Sequence, residues 1–382
     1  MRGTAVQTLL EEGVAQGVFP SAQATVFYRG QCAFQGTAGG VDVQTPFDLA
    51  SLTKVICTTS VFMSLWNEGK LAPETKLEEL LPDAKAARGG VTLEDLLYHR
   101  AGLPAFVPYF AMAMQTFPQL LAPACPAKIR EKARRSVVNA AKSTEATEPR
   151  GVRALYSDVG FLLLGEALAA GGGAALDDLV ERRVQAHLKL PTHFRRLSTA
   201  TPSKRAPAPT GKTRPREPAP GQEGLWTIDP QRAGPGEVDD DNAWTMDGVA
   251  GHAGLFGTAS DVATFGQILL EEVHGAQRLA RPELWQRAIA PDRSTPGSSR
   301  ALGFDTVERD SPPDSSAGKL IGRLGPGALG HLGFTGVSLW IDLARMLVVA
   351  LCTNRTLLGR GNLRIRTFRP AFHDRVVEEL LG

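Results

Sequence analysis

Residues 51–69 read SLTKVICTTSVFMSLWNEG. It contains neither Gly nor Pro before Gly69, and Val55, Phe62 and Trp66 fall on roughly one side of a helix. Glycine is the commonest residue just beyond a helix C-terminus, where the backbone turns left-handed. The sequence therefore predicts one helix over residues 51–68 that ends at Gly69.

Ser51 and Lys54 lie at the start of this predicted helix, three residues apart and on the same face. A serine hydroxyl is a weak nucleophile until a nearby group accepts its proton, and a lysine near other positive charge can be neutral enough to do so. The helix N-terminus supplies part of that positive potential. The S-x-x-K pattern alone is weak evidence, since a second copy at residues 316–319 lies in a Pro/Gly-rich loop, where we interpret it as chance.

The flanking sequence places strands near both ends of the chain and helices in the middle. An N-terminal helix precedes a hairpin whose two strands, 22–29 and 31–37, meet at Gly30. The other predicted helices span 93–98 with Thr92 as N-cap, from Ser157 or Asp158 to 168, from Ser260 to about 274, and 369–381, and the other strands span 301–307, 337–341 and 347–351. The simplest packing is an α/β layer structure built from the two ends, with a helical insertion and a cleft at the seam.

Two polar stretches are interpreted as surface features. Residues 201–220 carry six prolines, five basic residues and one acid, a composition that predicts a long loop rather than a core element. The acidic run 239–241 lacks the spacing of a calcium-binding loop and is interpreted as a solvated loop. Five C-terminal arginines are expected to pair with surface acids: Arg355, Arg360, Arg364, Arg366 and Arg369.

Composition and charge exclude several classes of protein. Of the 382 residues, 43% are hydrophobic and 21% charged, and 42 basic residues nearly balance 40 acidic ones, as in soluble globular proteins. A net charge of +2 gives no reason to expect nucleic-acid or membrane partners. The longest apolar run near the C-terminus, residues 346–352, is far shorter than the ~18 residues that cross a bilayer. Without a recognisable secretion signal, and with four scattered cysteines, a cytoplasmic protein with reduced thiols is expected.

Common cofactor and metal motifs fail on their context. Residues 325–330 match G-x-G-x-x-G but contain Pro326 and open no helix, so we interpret them as a turn. Gly211-Lys212-Thr213 lacks the first glycine of a phosphate-binding loop. No H-E-x-x-H, G-x-S-x-G or C-x-x-C motif is present. The sequence therefore predicts no metal site and no cofactor.

Four further segments stand in a fixed order around Ser51-Leu52-Thr53-Lys54. They are VTLEDLLYHRAGL at 91–103, Tyr156-Ser157-Asp158, GVAGHAGLFGT at 248–258, and GHLGFTG at 330–336 before a predicted strand. Together these motifs resemble the serine β-lactamase and penicillin-binding-protein superfamily, in the branch that contains class C-like β-lactamases, D-alanyl-D-alanine peptidases and family VIII-type esterases. The resemblance covers most of the chain.

The resemblance implies a fold and a set of site residues. The fold is an α/β (α+β) β-lactamase/transpeptidase-like one, with an antiparallel sheet flanked by helices in residues 1–50 plus 255–382, and a mainly helical subdomain in 51–254. By the same resemblance, Ser51 is the acylated nucleophile, and Lys54 and Tyr156 handle the proton. His331-Leu332-Gly333 corresponds to the Lys-Thr-Gly strand motif, and the backbone N–H groups of Ser51 and Phe334 form the oxyanion hole. Gly333 suits a strand that a substrate approaches closely.

Three positions depart from the family pattern. Asp158 stands where an Asn is usual, and a carboxylate beside Lys54 opposes its use as a base, so that Tyr156 is the main base, Asp158 is protonated, or Asp158 points elsewhere. His331 replaces a lysine, which predicts a partial, pH-dependent positive charge. Leu332 removes a hydroxyl that threonine offers a β-lactam. These departures favour esters or small amides over penicillins.

The sequence thus predicts a serine acyl-hydrolase that acts on a small ester or amide through an acyl-enzyme on Ser51, without a cofactor or metal. A β-lactamase or D-alanyl-D-alanine carboxypeptidase is the alternative within this class, and a non-catalytic β-lactamase-like binding or assembly protein is the alternative outside it. His252 is interpreted as structural, and Tyr98 and His99 as rim or helix-end residues. The loops 103–150 and 197–245 are expected to form the pocket walls.

Overall fold

The computed structural model describes residues 3–122, 124–199, 205–234, 236–312 and 315–382. Eleven strands lie in this described part of the chain. They are β1 (Ala22–Tyr28), β2 (Gln31–Ala38), β3 (Phe47–Asp48), β4 (His193–Phe194), β5 (Thr213–Arg214), β6 (Gln231–Arg232), β7 (Leu255–Gly257), β8 (Asp305–Val307), β9 (Ala328–Leu332), β10 (Ser338–Asp342) and β11 (Leu347–Thr353).

Thirteen α-helices lie in the same described ranges. They are α1 (Thr4–Ala15), α2 (Ser60–Asn67), α3 (Leu77–Leu80), α4 (Leu93–Leu97), α5 (Tyr109–Thr116), α6 (Ala127–Lys142), α7 (Asp158–Gly172), α8 (Leu176–Val180), α9 (Ala186–Leu188), α10 (Asp241–Thr245), α11 (Ala259–Val273), α12 (Pro282–Ile289) and α13 (Ile365–Leu381). A π-helical segment, Lys54–Thr59, runs directly into α2.

The main sheet has six strands in the order β2-β1-β11-β10-β9-β8, and all neighbouring pairs are antiparallel. Every residue of β11 is buried, because helices cover both faces of the sheet. Along β10, Leu339 and Ile341 pack into the core that contains α11, whereas Trp340 packs into the core that contains α1 and α13. The α/β fold with an antiparallel sheet, predicted from the sequence, is confirmed.

Strands from both ends of the chain build this sheet, since β1 and β2 pair with β11 and β8 to β10 complete it. The segment between them is mainly helical, with α2, α3, α4, α6 and α8 packed against α7, whose middle is buried. The boundaries drawn at residues 50 and 254 stay a prediction. No single described helix is long and apolar enough to span a membrane, although α7 and the 176–188 helical segment pass the length and composition test as a pair bent by 71°.

Local signals located most elements well. The hairpin, the helix over 51–68 and the helix N-cap at Thr92 are confirmed, and the Thr92 hydroxyl accepts a hydrogen bond from the Asp95 N–H. For α7, Ser157 is the N-cap rather than Asp158, because its hydroxyl accepts from the Gly160 N–H at 3.0 Å. Gly173, in the left-handed conformation, ends that helix, which runs to Gly172 and so beyond the predicted end at 168.

Several predicted boundaries of helices and strands were wrong. Thr258, not Ser260, caps α11, since the Thr258 hydroxyl accepts from the Asp261 N–H at 3.2 Å. α13 begins at Ile365, a turn earlier than predicted, and the strand expected from residue 301 begins at Asp305. The segment 325–330 is a turn only at its start, because β9 begins at Ala328.

The proline-rich loop is buried more deeply than its composition indicates. Its described residues, 205–220, form no helix and only the two-residue strand β5, but Arg214 is 1% exposed. The Arg214 guanidinium donates to Asp241 at 2.6 Å, so paired charges replace the apolar burial that the composition lacks. The prediction of a long loop is confirmed for residues 205–220, whereas the expectation that the loop is no part of the core is wrong; residues 201–204 lie outside the described ranges.

Candidate active site

Ser51 sits on a sharp turn directly before the helical segment. Ala50 has a positive φ of 44°, a conformation that costs free energy in a non-glycine residue. The Asp48 carboxylate supports this turn by accepting a hydrogen bond from the Ala50 N–H at 2.8 Å. The following π-helical segment begins at Lys54, and such segments occur often at functional sites. The local fold therefore presents the Ser51 hydroxyl from a rigid corner.

The structure brings the three predicted catalytic side chains together. The Lys54 ammonium donates to Ser51 Oγ at 3.0 Å, and the Tyr156 hydroxyl donates to the same oxygen at 2.8 Å. Lys54 Nζ also contacts Asp158 Oδ1 at 2.7 Å and the carbonyl oxygen of His252 at 3.0 Å. Both proton carriers thus lie within one hydrogen bond of the candidate nucleophile.

The electrostatics keep both of these groups protonated in the resting state. Burial alone lowers the pKa of Lys54, but the Asp158 carboxylate and the neighbouring Tyr156 raise that pKa above its usual value. Burial raises the pKa of the Tyr156 phenol, and the Lys54 charge opposes this shift only in part. Since Asp158 Oδ1 contacts Lys54 Nζ, the alternative that Asp158 points elsewhere is wrong, and the other two alternatives stay predictions.

His331 lies in the cavity wall, but its charge state differs from the expectation. Burial, followed by the charges of Lys54 and Arg300, lowers the pKa of His331 well below its usual value. Its Nδ1 lies 2.7 Å from the Leu332 carbonyl oxygen, which assigns the proton to Nδ1. Nε2 is buried and has no protein partner in the described ranges. His331 is therefore neutral, and the predicted partial positive charge is absent.

The end of β9 docks against the turn that carries Ser51. The Thr335 hydroxyl donates to the Asp48 carbonyl oxygen at 2.8 Å. A Cβ atom on Gly333 would lie 3.0 Å from the Leu49 carbonyl oxygen and 3.2 Å from the Ala50 Cβ, so only glycine fits this approach without displacement. This docking brings the backbone N–H groups that follow Gly333 and Ala50 to neighbouring positions.

Those two N–H groups belong to Phe334 and Ser51, the predicted oxyanion donors. Across the described residues, neither N–H donates to a protein acceptor. Ser51 and Phe334 both line one cavity, and two free backbone N–H groups are the donor pair that acyl transfer requires. Both donors come from the backbone, so their side chains are free to vary.

A cavity of about 400 Å³ opens beside Ser51. Phe106 from the 103–150 segment and Ala219, Pro220 and Gln222 from the 197–245 loop line it, as predicted for these two segments. The first segment is less loop-like than expected, because it contains α5 and α6.

The acidic run 239–241 also borders the cavity, and its interpretation as a solvated loop was wrong. Asp239 and Asp241 are 3% and 2% exposed. Asp240 caps α10 by accepting from the Ala243 N–H at 2.7 Å and lies 3.0 Å from His252 Nε2. An aspartate just before a short helical pattern is an N-cap signal, and this signal could have placed the run against the fold.

Two histidines support the site from behind. His252 lies in the cavity wall, and its carbonyl oxygen holds Lys54, in agreement with a structural role. His99 is buried rather than at the rim; its Nδ1 accepts from the Ser157 N–H at 3.0 Å, and its ring packs 4.6 Å from the Tyr156 ring. Tyr98 is 9% exposed and ends α4.

Within the described ranges, the C-terminal arginines do not pair with surface acids, which corrects the prediction. Arg360 pairs with Asp239 at 3.1 Å, but this pair is buried. Arg355 donates instead to the backbone carbonyl oxygen of Phe334, and Arg369 to that of Gly333. Arg300, which the sequence did not single out, also lines the cavity and pairs with Asp305. No motif in the sequence marks these arginines, because only the tertiary fold brings them to the cleft.

The described residues contain no candidate set of metal ligands. Within the ranges that the structure describes, no group of three or more His, Cys, Asp or Glu side chains could hold a metal ion. The nearest acids and histidines to Ser51 are instead paired with cations or backbone groups.

Comparisons with known proteins agree with this geometry. A model of the β-lactamase family matches residues 6–368. An N-acetylmuramyl-L-alanine amidase of Bacillus subtilis (strain 168) is 27% identical over 384 residues, covering 92% of this chain and 80% of the relative. A putative D-alanyl-D-alanine carboxypeptidase of Escherichia coli (strain K12) is 27% identical over 327 residues, covering 81% of this chain and 69% of the relative. The octameric penicillin-binding protein homologue from Pyrococcus abyssi shares the fold, with a TM-score of 0.69 at 16% identity over 100% of this chain and 77% of that one.

Proposed function

The chain belongs to the β-lactamase family, a family of hydrolases, and from this premise we propose that it cleaves small esters or amides through a covalent acyl-enzyme on Ser51. One observation carries the proposal: the Ser51 hydroxyl is held by the Lys54 ammonium and the Tyr156 phenol at the same time. A serine placed only to cap a helix needs neither partner.

In the proposed mechanism, Ser51 Oγ attacks the substrate carbonyl carbon once the Lys54–Tyr156 pair has lost one proton. The pair then takes the proton of the Ser51 hydroxyl, and the negative charge that develops on the carbonyl oxygen is stabilised by the N–H groups of Ser51 and Phe334. The pair returns the proton to the leaving alcohol or amine as the carbonyl–heteroatom bond breaks. A water molecule then attacks the acyl carbon and gives its proton to the pair, which passes that proton to Ser51 Oγ as the acyl–Oγ bond breaks, so that the acid is released and the Ser51 hydroxyl and the proton-deficient pair are restored.

Asp158 influences the fraction of enzyme in which the Lys54–Tyr156 pair has lost a proton and can act as the base. Because Lys54 and Tyr156 interact strongly, their protons are lost as a pair rather than from either residue alone. The Asp158 carboxylate raises the pKa of Lys54 and of Tyr156, so it raises the pH at which the pair becomes a base. We therefore propose that the activity rises into the alkaline range.

The substrate class follows from the cavity wall. Leu332 offers no hydroxyl, and neutral His331 offers an acceptor nitrogen rather than a cation, so this edge suits an uncharged ester or amide group better than a carboxylate. Both curated relatives compared above carry names of enzymes that cleave amide bonds. The cytoplasmic location expected from the sequence remains part of this proposal.

A D-alanyl-D-alanine carboxypeptidase or β-lactamase activity is the second candidate. One observation favours it: Arg355, Arg366 and Arg369 also line the cavity, where a substrate carboxylate could bind. In that case the anion is recognised by the C-terminal arginines and not by residue 331.

A substrate panel tests these candidates. The protein and its Ser51→Ala and Tyr156→Phe variants are assayed with p-nitrophenyl esters of several chain lengths, D-alanine anilides, a D-alanyl-D-alanine peptide and a chromogenic cephalosporin. The proposal expects ester or amide turnover that falls at least 1000-fold in Ser51→Ala. Turnover of the peptide or cephalosporin alone selects the second candidate. Equal background rates in all three proteins select the non-catalytic binding protein.

A further inference from the structure

The charged groups that line the cavity do not balance. Each lining carboxylate has a partner, in the pairs Asp158–Lys54, Asp305–Arg300, Asp239–Arg360 and Asp240–His252. Three lining arginines have no carboxylate within ion-pair distance among the residues that the structure describes: Arg355, Arg366 and Arg369. Two of them, Arg355 and Arg369, are 4% and 8% exposed, so their charges are held away from water.

Arg369 is bound to the backbone of the predicted oxyanion segment. Its Nη1 donates to the Gly333 carbonyl oxygen at 3.2 Å and to the Val337 carbonyl oxygen at 3.0 Å. The Gly336 N–H donates to the same Gly333 oxygen at 3.0 Å. On the next peptide, Arg355 Nε donates to the Phe334 carbonyl oxygen at 2.7 Å. The turn after β9 is thus clamped by two cations.

The Gly333 carbonyl group and the Phe334 N–H group belong to one planar peptide unit. A cation that draws electron density toward the carbonyl oxygen polarises this unit and makes its N–H a stronger donor. The uncompensated charge also acts through space on any oxyanion that this N–H binds. Burial, with the charges of Arg355 and Arg366, lowers the pKa of Arg369 to about 9, so Arg369 remains cationic at neutral pH.

We propose that Arg369 is a positioning residue for the oxyanion hole: through the Gly333 carbonyl group it holds and polarises the peptide whose Phe334 N–H receives the developing negative charge. The inference rests on the proposed acyl-enzyme at Ser51. It also explains where the positive charge of this site lies, since position 331 carries a neutral histidine and α13 supplies the cation from the other side of β9.

The variants that test this role are Arg369→Gln, which removes the charge, and Arg369→Lys, which keeps it. The matched control is Arg375→Gln on the same helix, because Arg375 is 49% exposed and does not line the cavity. Thermal unfolding of each variant reports whether the fold is retained. One oxyanion donor is typically worth a factor of about 100 to 1000 in kcat, and we expect polarisation of one donor to be worth about 10 to 100.

Two readouts separate this role from simple structural support. With a p-nitrophenyl ester, Arg369→Gln should lower kcat about 10- to 100-fold at unchanged KM, and Arg369→Lys should recover most of that loss. A boronic acid that forms an anionic tetrahedral adduct on Ser51 should lose affinity by a similar factor. With the matching thionoester, whose sulfur is a weak acceptor, the loss in Arg369→Gln should shrink to a few-fold.

The outcomes are distinguishable. If wild-type protein binds the boronic acid and turns over the ester, but Arg369→Gln matches the Arg375→Gln control in kcat, the Arg369 inference is wrong while the proposed function stands. An equal loss with ester and thionoester also overturns it, because that pattern reports general distortion. If wild-type protein neither binds the boronic acid on Ser51 nor cleaves the ester, the proposed function itself fails, and this inference with it.

Discussion

Replacing Asp158 by Asn tests the electrostatic account of the site most sharply, because it changes one charge and almost no volume. The Asp158 carboxylate contacts Lys54 Nζ at 2.7 Å, with the lysine side chain fully buried and the carboxylate 25% exposed. An opposite charge at this distance typically changes a pKa by about 1–3 units. Asp158→Asn should therefore lower the pKa of the Lys54–Tyr156 pair by about 1–3 units.

That shift has a direct kinetic consequence. Below the pKa of the pair, each unit by which it falls increases the proton-deficient, reactive fraction of enzyme about tenfold. At a fixed pH on the acidic limb, Asp158→Asn should therefore acylate about 10 to 1000 times faster than the wild type, provided that proton transfer limits the rate. At high pH, where both proteins are fully active, the two rates should converge.

The assay is the pH dependence of kcat/KM with a p-nitrophenyl ester, corrected for the Ser51→Ala background. Asp178→Asn is the matched control, because Asp178 lies in the first turn of α8, as Asp158 does in α7, but is exposed and away from Lys54. The acidic limb should move to lower pH in Asp158→Asn only. An unchanged limb, or a limb that moves to higher pH, would refute the role assigned to Asp158.

Three further outcomes follow from the structure. Burial, with the charge of Asp239, raises the pKa of Asp48 to about 7. Protonated Asp48 therefore stabilises the fold below about pH 4, and this contribution is lost as the pH rises through 7, with a slope of at most about 1.4 kcal/mol per pH unit. In Asp48→Asn, the free energy of unfolding by urea between pH 5 and 8 should lack that slope. A Cβ on Gly333 would lie 2.3 Å from Val337 Cγ2. Gly333→Ala should therefore cost about 1–3 kcal/mol in unfolding free energy and lower the acylation rate at least tenfold. Wild-type-like acylation rates would contradict the docking of β9 against the turn that carries Ser51. His331→Gln should not change the kcat/KM profile near neutral pH, because His331 is already neutral there. If an ionisation near neutrality were lost in the variant, His331 would be charged in the wild type.

The sequence contained most of the catalytic centre because its residues are fixed by local geometry. Ser51 and Lys54 are three residues apart on one helical segment, so their contact needs no tertiary information. Tyr156 lies directly before the Ser157 cap of α7, and capping signals are local as well. The catalytic role of Tyr156, its meeting with Ser51, and the roles of His331 and Phe334 were predicted only from the family resemblance.

The ion pairs and charge states around the catalytic centre could not be predicted from local sequence patterns. Whether Asp239 and Asp241 are solvated or buried depends on Arg214 and Arg360, which are distant in sequence and arrive through an irregular loop. Composition indicated a loop at 205–220, but not that ion pairs would hold it against the core. The charge state of His331 was wrong for a related reason, since burial, not residue type, sets its pKa.

The same limit applies to the arginines of the C-terminal region. Arg369 and Gly333 are 36 residues apart in sequence, and only the packing of α13 on the sheet places the guanidinium on that carbonyl oxygen. No local pattern distinguishes Arg369 from Arg375 on the same helix. Contacts of this kind require the three-dimensional structure.

Intact-protein mass spectrometry after incubation with a fluorophosphonate tests whether Ser51 is an activated nucleophile. The account predicts one stoichiometric mass increment, mapped by peptide analysis to Ser51, that is absent from Ser51→Ala and much slower in Tyr156→Phe. An unlabelled wild-type protein, or equal labelling of the wild type and Ser51→Ala, would contradict it.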